Sequence, residues 1–415
     1  MVTRKEVAGP LAITLYIALS AVVSAFHPMY AIMLVPSGRP EPTAHLARPL
    51  GYVLIAPLSD VLDELTLLSV PQLIALVISV VIVYVIVRVA ARRGRPVRAW
   101  CEFLYGLRAF LILVLAIVCA AALPRPMAAL RLDDPEEVVF DIHSHTNYSH
   151  DARATFTVEA NREWHRSAGF DVAFITDHRC FDGAAEGMRG NPRRAGDGTV
   201  LLSGIELPPE QRHLILLEPP NTAVPNGYLE AWCVRARAGV PQPTLPVIIE
   251  TIPENLSWMS ELASGHAAGL SGIEISDGAP RGLAQGDRDQ AFIAAQAARL
   301  DLAMLAGSNN HGWGRAAVAW NVMRVPGWRA MSPDSLGRII EGRLIAERSR
   351  AVTVLGRARH DGSDPPQLAA TLIWFIGGIF STISIPESLS WIAWTWILWT
   401  LIRFTPRRQW SRPAA

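Results

Sequence analysis

Long uncharged runs bracket a central stretch that has none. Leu11–Val35 is a 25-residue run without charge, interrupted by His27 and Pro28. Leu65–Val87 gives 23 uncharged residues ending at Arg88, Ala109–Leu123 gives 15, Leu368–Ile385 gives 18 and Leu389–Ile402 gives 14. A helix that crosses hydrocarbon needs about 20 apolar residues, with a range of roughly 17 to 25. The first two runs meet that length, and the next two are candidates. The last is short, but its Trp391, Trp394, Trp396 and Trp399 suit a membrane interface, so it either spans or lies in the surface plane. Leu11–Val35 is too long for a signal peptide, and a second span follows it. Leu50–Leu62, with Asp60 and Asp63 at its end, reads as an interfacial or re-entrant segment.

Between residues 136 and 361 short β-rich segments alternate with helical ones. Val138–Ile142, Val172–Thr176, Val200–Leu207, His213–Leu217, Val247–Ile249, Gly272–Ile275 and Ala303–Ala306 read as strands. Thr157–Ser167, Tyr228–Ala236, Asp287–Arg299 and Pro333–Arg343 read as helices. This alternation predicts an α/β fold with a parallel layer or barrel. The Pro-, Asp- and Gly-containing stretches Pro124–Glu137 and His360–Pro366 read as linkers. The expected organisation is a membrane region over 1–124 with about three spans, an α/β domain over 136–361, and a membrane hairpin over 366–404.

Composition sharpens this picture. The chain has 415 residues, 50% apolar and only 18% charged, against about 25% charged in soluble domains. A net charge of +1 gives no basic excess, so no nucleic-acid partner is expected. Cys101, Cys119, Cys180 and Cys233 have no CxxC spacing and imply neither a disulfide framework nor a zinc knuckle.

The candidate chemistry sits at strand ends. The first cluster runs Asp141-Ile142-His143-Ser144-His145-Thr146-Asn147-Tyr148-Ser149-His150-Asp151. Residues two apart on a strand point the same way, so His143 and His145 can share one ion. Thr176-Asp177-His178 closes a second strand, Gly204-Ile205-Glu206 a third with His213 following, and Gly307-Ser308-Asn309-Asn310-His311 a fourth. Parallel α/β folds gather strand ends at one face, where active sites form. Four such clusters at successive strand ends point to a metal site.

The order DxHxHTxxS, TDH, GxE, a strand with His, and GSxxH resembles the PHP (polymerase and histidinol phosphatase) family over roughly Val139–Val354. The resemblance implies a distorted (β/α)7 barrel that binds two or three divalent ions, Zn²⁺, Mn²⁺ or Fe²⁺, and often hydrolyses phosphate esters. It implies a first site from His143, His145, Glu206 and Asn309. The second would use Glu206, His213 and a later histidine; the third would use His150 or Asp151, with His178 and His311. Three positions depart from the pattern: His150 stands where Asp is usual, Ile252 where a histidine is expected, and Asn309 where Asp is usual. Glu250 and Glu254 are candidate substitutes for the missing histidine, with nothing in the sequence to fix their direction. Neutral Asn removes one negative charge and weakens the first site. Asp141 and Asp177 are candidates to orient ligand rings. Arg179 and Arg315 are candidate catalytic contacts to phosphate, since guanidinium presents a planar fork of donors.

The expected function is a membrane-anchored, metal-dependent phosphoesterase with an unidentified phosphoester substrate and the lipid bilayer as partner. The alternative is a non-catalytic sensor or binding module with an eroded metal site. A transporter is disfavoured, because the runs lack midplane charges apart from His27. Arg4 and Lys5 before the first run, and Arg88, Arg92, Arg93, Arg95 and Arg98 between the second and third, fit an N-terminus inside. With three spans this puts the α/β domain in the periplasm, at a bacterial inner membrane. The C-terminal Arg403, Arg407, Arg408 and Arg412 agree only if one of the last two runs does not cross.

Overall fold

A computed structural model of the chain describes residues 4–26, 31–35, 37–91, 99–207, 213–217, 247–253, 259, 262–267 and 269–404. The helix expected at Tyr228–Ala236 lies outside them. The first uncharged run is two elements: α1 (Arg4–Phe26) and the strand β1 (Ile32–Val35). After β2 (Arg39–Pro40) and β3 (Ala44–Ala47), the segment read as interfacial folds as α2 (Leu50–Leu54) and α3 (Ala56–Thr66). The long helices α4 (Val70–Ala91) and α5 (Ala99–Ala122) follow. The stretch read as a linker contains β4 (Ala129–Leu132), which pairs antiparallel with β3.

Windows in α1, α4 and α5 are long and apolar enough to cross a membrane. The helices Thr371–Thr382 and Ile385–Phe404 are bent by 117° at the break between them and together make at most one further span. At about 1.5 Å per residue, the 12-residue first member reaches only about 18 Å. The second member runs back along α1: Ser24 Oγ donates to the Ser381 carbonyl near the end of the first member, and Trp396 Nε1 of the second donates to Thr14 Oγ1. α4 and α5 pair as antiparallel neighbours, with Arg88 bound to Glu102 at 3.0 Å near one end. At the opposite end Leu62, Leu65 and Leu68 pack with Leu76 and Ala120.

The central stretch forms an α/β layer around a large mixed sheet. Its strands are β5 (Glu137–Ser144), β6 (Val172–Ile175), β7 (Val200–Leu207), β8 (Leu214–Leu217), β9 (Val247–Glu250), β10 (Gly272–Asp277), β11 (Ala303–Gly307), β12 (Ala319–Arg324) and β13 (Thr353–Arg357). The order is β11-β10-β9-β8-β7-β6-β5-β12-β13-β1-β2. β5, β6 and β7 run parallel, as do β9, β10 and β11. β8 is antiparallel to both neighbours, and β12 is antiparallel to β5 and β13. A wholly parallel layer is therefore not what forms, because β7 and β8 are too close in sequence for a crossover.

One apolar cluster takes alternate residues from six strands. It holds Val138, Phe140 and Ile142; Val172 and Phe174; Val200 and Leu202; Ile215 and Leu217; Val247 and Ile249; and Ala303 and Leu305, joined by Leu336, Ile340 and Leu344 of the helix Pro333–Ala346. The sheet curls about this cluster until β11 returns to β5. Asn309 N–H donates to His143 O at 2.7 Å, and His145 N–H to Asn310 O at 3.2 Å. Fully buried Asn321 on β12 ties the same two strands, donating to Phe140 O at 3.0 Å and Ala306 O at 2.7 Å and accepting from Ala306 N at 2.8 Å. Outside the curl pack α6 (Val158–Ala168) and the helix Asp287–Arg299.

The sheet is bolted to the apolar helices through Asp63 of α3. Arg125 approaches its carboxylate at 3.2 Å and Arg357 of β13 at 3.4 Å, all three side chains being buried. Gln72 of α4 donates to His360 O at 2.8 Å, and Arg315 donates to the last carbonyls of α5, Ala121 at 3.2 Å and Ala122 at 3.1 Å.

Candidate metal centre

The curl brings the strand-end clusters together. Three groups have ligand atoms all within 4.8 Å of one another: His143, His145 and Glu206; His178, Glu206 and His213; and His145, His178 and His311. They share members, so the six residues make one continuous site. His143 Nε2 lies 3.1 Å from both His145 Nε2 and Glu206 Oε2, and His145 Nε2 lies 3.1 Å from the same oxygen. His213 Nδ1 contacts Glu206 Oε1, and His178 Nδ1 lies 3.4 Å from Glu206 Oε2. Asp151 Oδ2 lies 3.3 Å from His178 Nε2 and 3.2 Å from His311 Nε2.

Neighbouring groups fix which nitrogen each ring presents. His143 Nδ1 contacts Glu274 Oε1 at 2.9 Å, His145 Nδ1 contacts Ser149 Oγ at 3.0 Å, and His311 Nδ1 contacts the Asn309 carbonyl at 3.0 Å. With the proton on Nδ1, each ring turns an Nε2 lone pair to the centre, the arrangement in which outer groups orient metal-binding histidines. Ser149 also accepts from the His178 N–H at 3.0 Å, which pins the two loops together. Asp177 accepts from Thr146 N at 2.6 Å and Thr146 Oγ1 at 2.7 Å, and buried Asn161 donates to His145 O at 2.7 Å.

Charge and burial set the protonation. Burial pushes the Glu206 carboxyl up, but His143 beside it and the hydrogen bonds from His143, His145 and His213 outweigh this and hold it well below the usual carboxylate range. Burial pushes His143 down, but Glu274 and Glu206 outweigh it and hold the imidazole well above its ordinary value. Burial takes His145 down to about 3 and lowers His178. Burial raises Glu274 to about 7.

The residues fit divalent ions. Bonds of about 2.0–2.1 Å from nitrogen place neighbouring ligand atoms roughly 3.0–3.4 Å apart, the range seen around Glu206. His311 Nε2 and Asn309 Oδ1 are buried and, among the described residues, find no hydrogen-bond partner. Buried polar atoms seldom stay unpaired, and these two border the same cavity. His311 Nε2 is close to Asp151 but out of line for a hydrogen bond, as expected of two atoms aimed at a third.

Several sequence-based expectations change here. Asp151 borders the third group through His178 and His311, whereas the equally exposed His150 makes only a tilted ring contact with His178, centroids 5.2 Å apart. Asn309 faces the cavity in a left-handed turn (φ 44°), its Nδ2 donating to Asp277 Oδ2 at 3.0 Å. Ile252 lines the cavity where a histidine was expected, and His178 completes the second group in its stead. Glu250 is buried in β9 away from the cavity lining, and Glu254 lies outside the described residues. Asp141 binds the His165 ring at 2.9 Å, and Asp177 binds Thr146, so neither orients a ligand ring. Arg179 has a positive φ (54°), is exposed and is absent from the cavity wall. Arg315 does line the cavity, with two N–H groups committed to α5. Sequence reading missed the orienting role of Glu274 and missed Asp277 and Arg281 altogether. The alternation Ile273-Glu274-Ile275-Ser276-Asp277, acids on an apolar strand, was the available signal for the first two.

No protein-family model matches the chain, and no curated protein matches it. Among solved structures it is similar to PsfC from Pseudomonas syringae PB-5123, with 17% identity over 58% of this chain and 98% of that one and a TM-score of 0.34. It is also similar to an amidohydrolase from Chromobacterium violaceum with bound sulfate and no metal, with 17% identity over 46% of this chain and 89% of that one and a TM-score of 0.30. At those scores neither likeness bears on what this chain does.

Proposed function

We propose that the chain is a membrane-anchored, metal-dependent hydrolase of phosphate esters built on a distorted seven-stranded PHP-type barrel, β5 to β11. The observation that carries the reading is the shared carboxylate: Glu206 faces His143, His145, His178 and His213 at once. When bound, divalent ions such as Zn²⁺, Mn²⁺ or Fe²⁺ supply Lewis-acid polarisation of a phosphate and acidify water. The chain supplies the rest. Glu274 and Ser149 hold the ring protons on Nδ1 of His143 and His145, and Asp277 holds the Asn309 amide at the cavity wall. Arg281 and Arg315 bring positive charge to the same wall.

The helix arrangement supports an anchored, multi-pass topology. α1, α4, α5 and the Ile385–Phe404 helix cross the bilayer, and the short Thr371–Thr382 helix does not. The basic residues at 4–5, 92–98 and 403–412 then share the cytoplasmic side, and the sheet lies in the periplasm.

The test is elemental analysis of the full chain in detergent, wild type beside a His145→Ala/His178→Ala double variant, together with hydrolysis of p-nitrophenyl phosphate esters. Two or three bound transition ions, lost in the variant together with hydrolysis, are expected. Ile252 and Asn309 favour a second reading, a binding module without catalysis. Bound metal with no hydrolysis in either wild type or Asn309→Asp would select it.

A further inference from the structure

The metal ligands occupy one end of a larger space. A single cavity of about 620 Å³ is bordered by His143, His178, Glu206, His213 and His311 and, on another wall, by side chains of the apolar helices. That wall consists of Leu65 of α3, Leu73 of α4, and Ile117, Ala120 and Ala121 of α5, with Leu68 from the turn between α3 and α4. A site built for a water-soluble phosphoester has no need of a hydrocarbon wall, and three separate helices furnish this one. The wall also continues outward: Val70 borders the cavity and is itself half exposed, and Ile74 one turn further along α4 is open. An apolar chain lying on Leu73 and Ile117 therefore has a path over Val70 into the surrounding lipid.

Charge is placed to match. Arg315 stands where the two walls meet, fixed by the Ala121 and Ala122 carbonyls that end α5. That is the depth at which a spanning helix emerges and a lipid phosphate resides.

From this juxtaposition we infer that the substrate is a phosphate ester of a membrane amphiphile, with its phosphate among the histidines and its hydrocarbon on the α3–α5 wall. The inference rests on the hydrolase reading above. Water adds to phosphorus, the bond from phosphorus to the lipid alcohol oxygen breaks, and that oxygen leaves with a proton as the free alcohol.

The test uses the full chain in detergent with two series, 1-acylglycerol 3-phosphates and isoprenyl phosphates of increasing chain length. KM is expected to fall about three- to fourfold per methylene until the wall is covered, since each buried methylene carries a roughly constant transfer free energy. Whichever series shows the steeper fall identifies the chain type. The binding readout is metal-free protein with dodecyl phosphate bearing a photoactivatable diazirine. Label is expected on α4 and α5, and Ala121→Phe, which fills the wall with an apolar ring, should cut labelling at least tenfold while metal content stays at the wild-type level. If soluble aryl phosphates are hydrolysed but chain length and Ala121→Phe change nothing, the amphiphile inference is overturned and the hydrolase stands. If labelling behaves as expected and no ester of any kind is hydrolysed, the hydrolase reading fails and the amphiphile pocket survives it.

Discussion

Two of the buried polar clusters among the described residues are solved differently. At the junction with the apolar helices, Asp63 is met by Arg125 and Arg357. Both partners are guanidinium groups, so the carboxylate is countered by the chain itself. At the strand ends, Glu206 is met only by histidines among the described residues, four of them. Imidazoles can present lone pairs instead of protons. The first cluster is matched by fixed charge; the second gathers groups that could hold a metal ion. Buried acids opposite arginine are joinery, whereas buried acids opposite converging imidazoles are a receptor for cations.

The largest test of this contrast is removal of the shared acid. Glu206→Gln should abolish hydrolysis and leave at most one bound ion by elemental analysis; full metal occupancy in that variant would break the comparison. Next, Asp63→Ala strands two buried arginines and should cost about 3–5 kcal/mol. Denaturant unfolding in detergent checks this, with metal affinity of the folded protein unchanged. Glu274→Gln removes the anchor on His143 and should weaken metal binding about 10- to 100-fold, as loss of an outer-shell partner does; competition with a chelating dye reads it. The pH dependence comes next. His143 is held well above its ordinary pKa, so it is protonated at pH 7 in the metal-free site, and an ion at Nε2 must displace that proton. Apparent metal affinity should therefore rise with pH through neutrality, up to about tenfold per unit. Calorimetry at pH 6, 7 and 8 tests the slope, and a flat profile would deny that His143 is a ligand. The smallest effect is expected from Asn309→Asp, which restores a carboxylate beside Asp277 and should tighten metal binding severalfold.

The site was more legible in the sequence than the sheet that makes it. His143, His145, Glu206, His213 and His311 come within reach of one another at strand ends, because a two-residue period and a strand terminus fix direction. Choosing Asp151 over His150 needed the geometry of the turn after Ser149, which adjacent residues cannot reveal. Arg179 is a left-handed residue off the cavity wall, which no local pattern announced. β12 and β13 escaped notice: Ala-Trp-Asn-Val-Met-Arg is buried on both faces and so shows no alternation. β1 was hidden inside an uncharged run, where strand and helix look alike by hydropathy alone.

β1 has one more consequence. It supplies the partner for β13, from Ile32 opposite Arg357 to Val35 opposite Val354. The part of the chain that carries the long apolar helices thus lends a strand to the sheet that follows it. A fragment cut at residue 136 leaves β13 as an open edge, with a row of bare N–H and C=O groups that invites pairing with other chains. Residues 136–404 therefore do not carry every strand of their own sheet, and the edge beside β13 is finished by a segment that lies between α1 and α4.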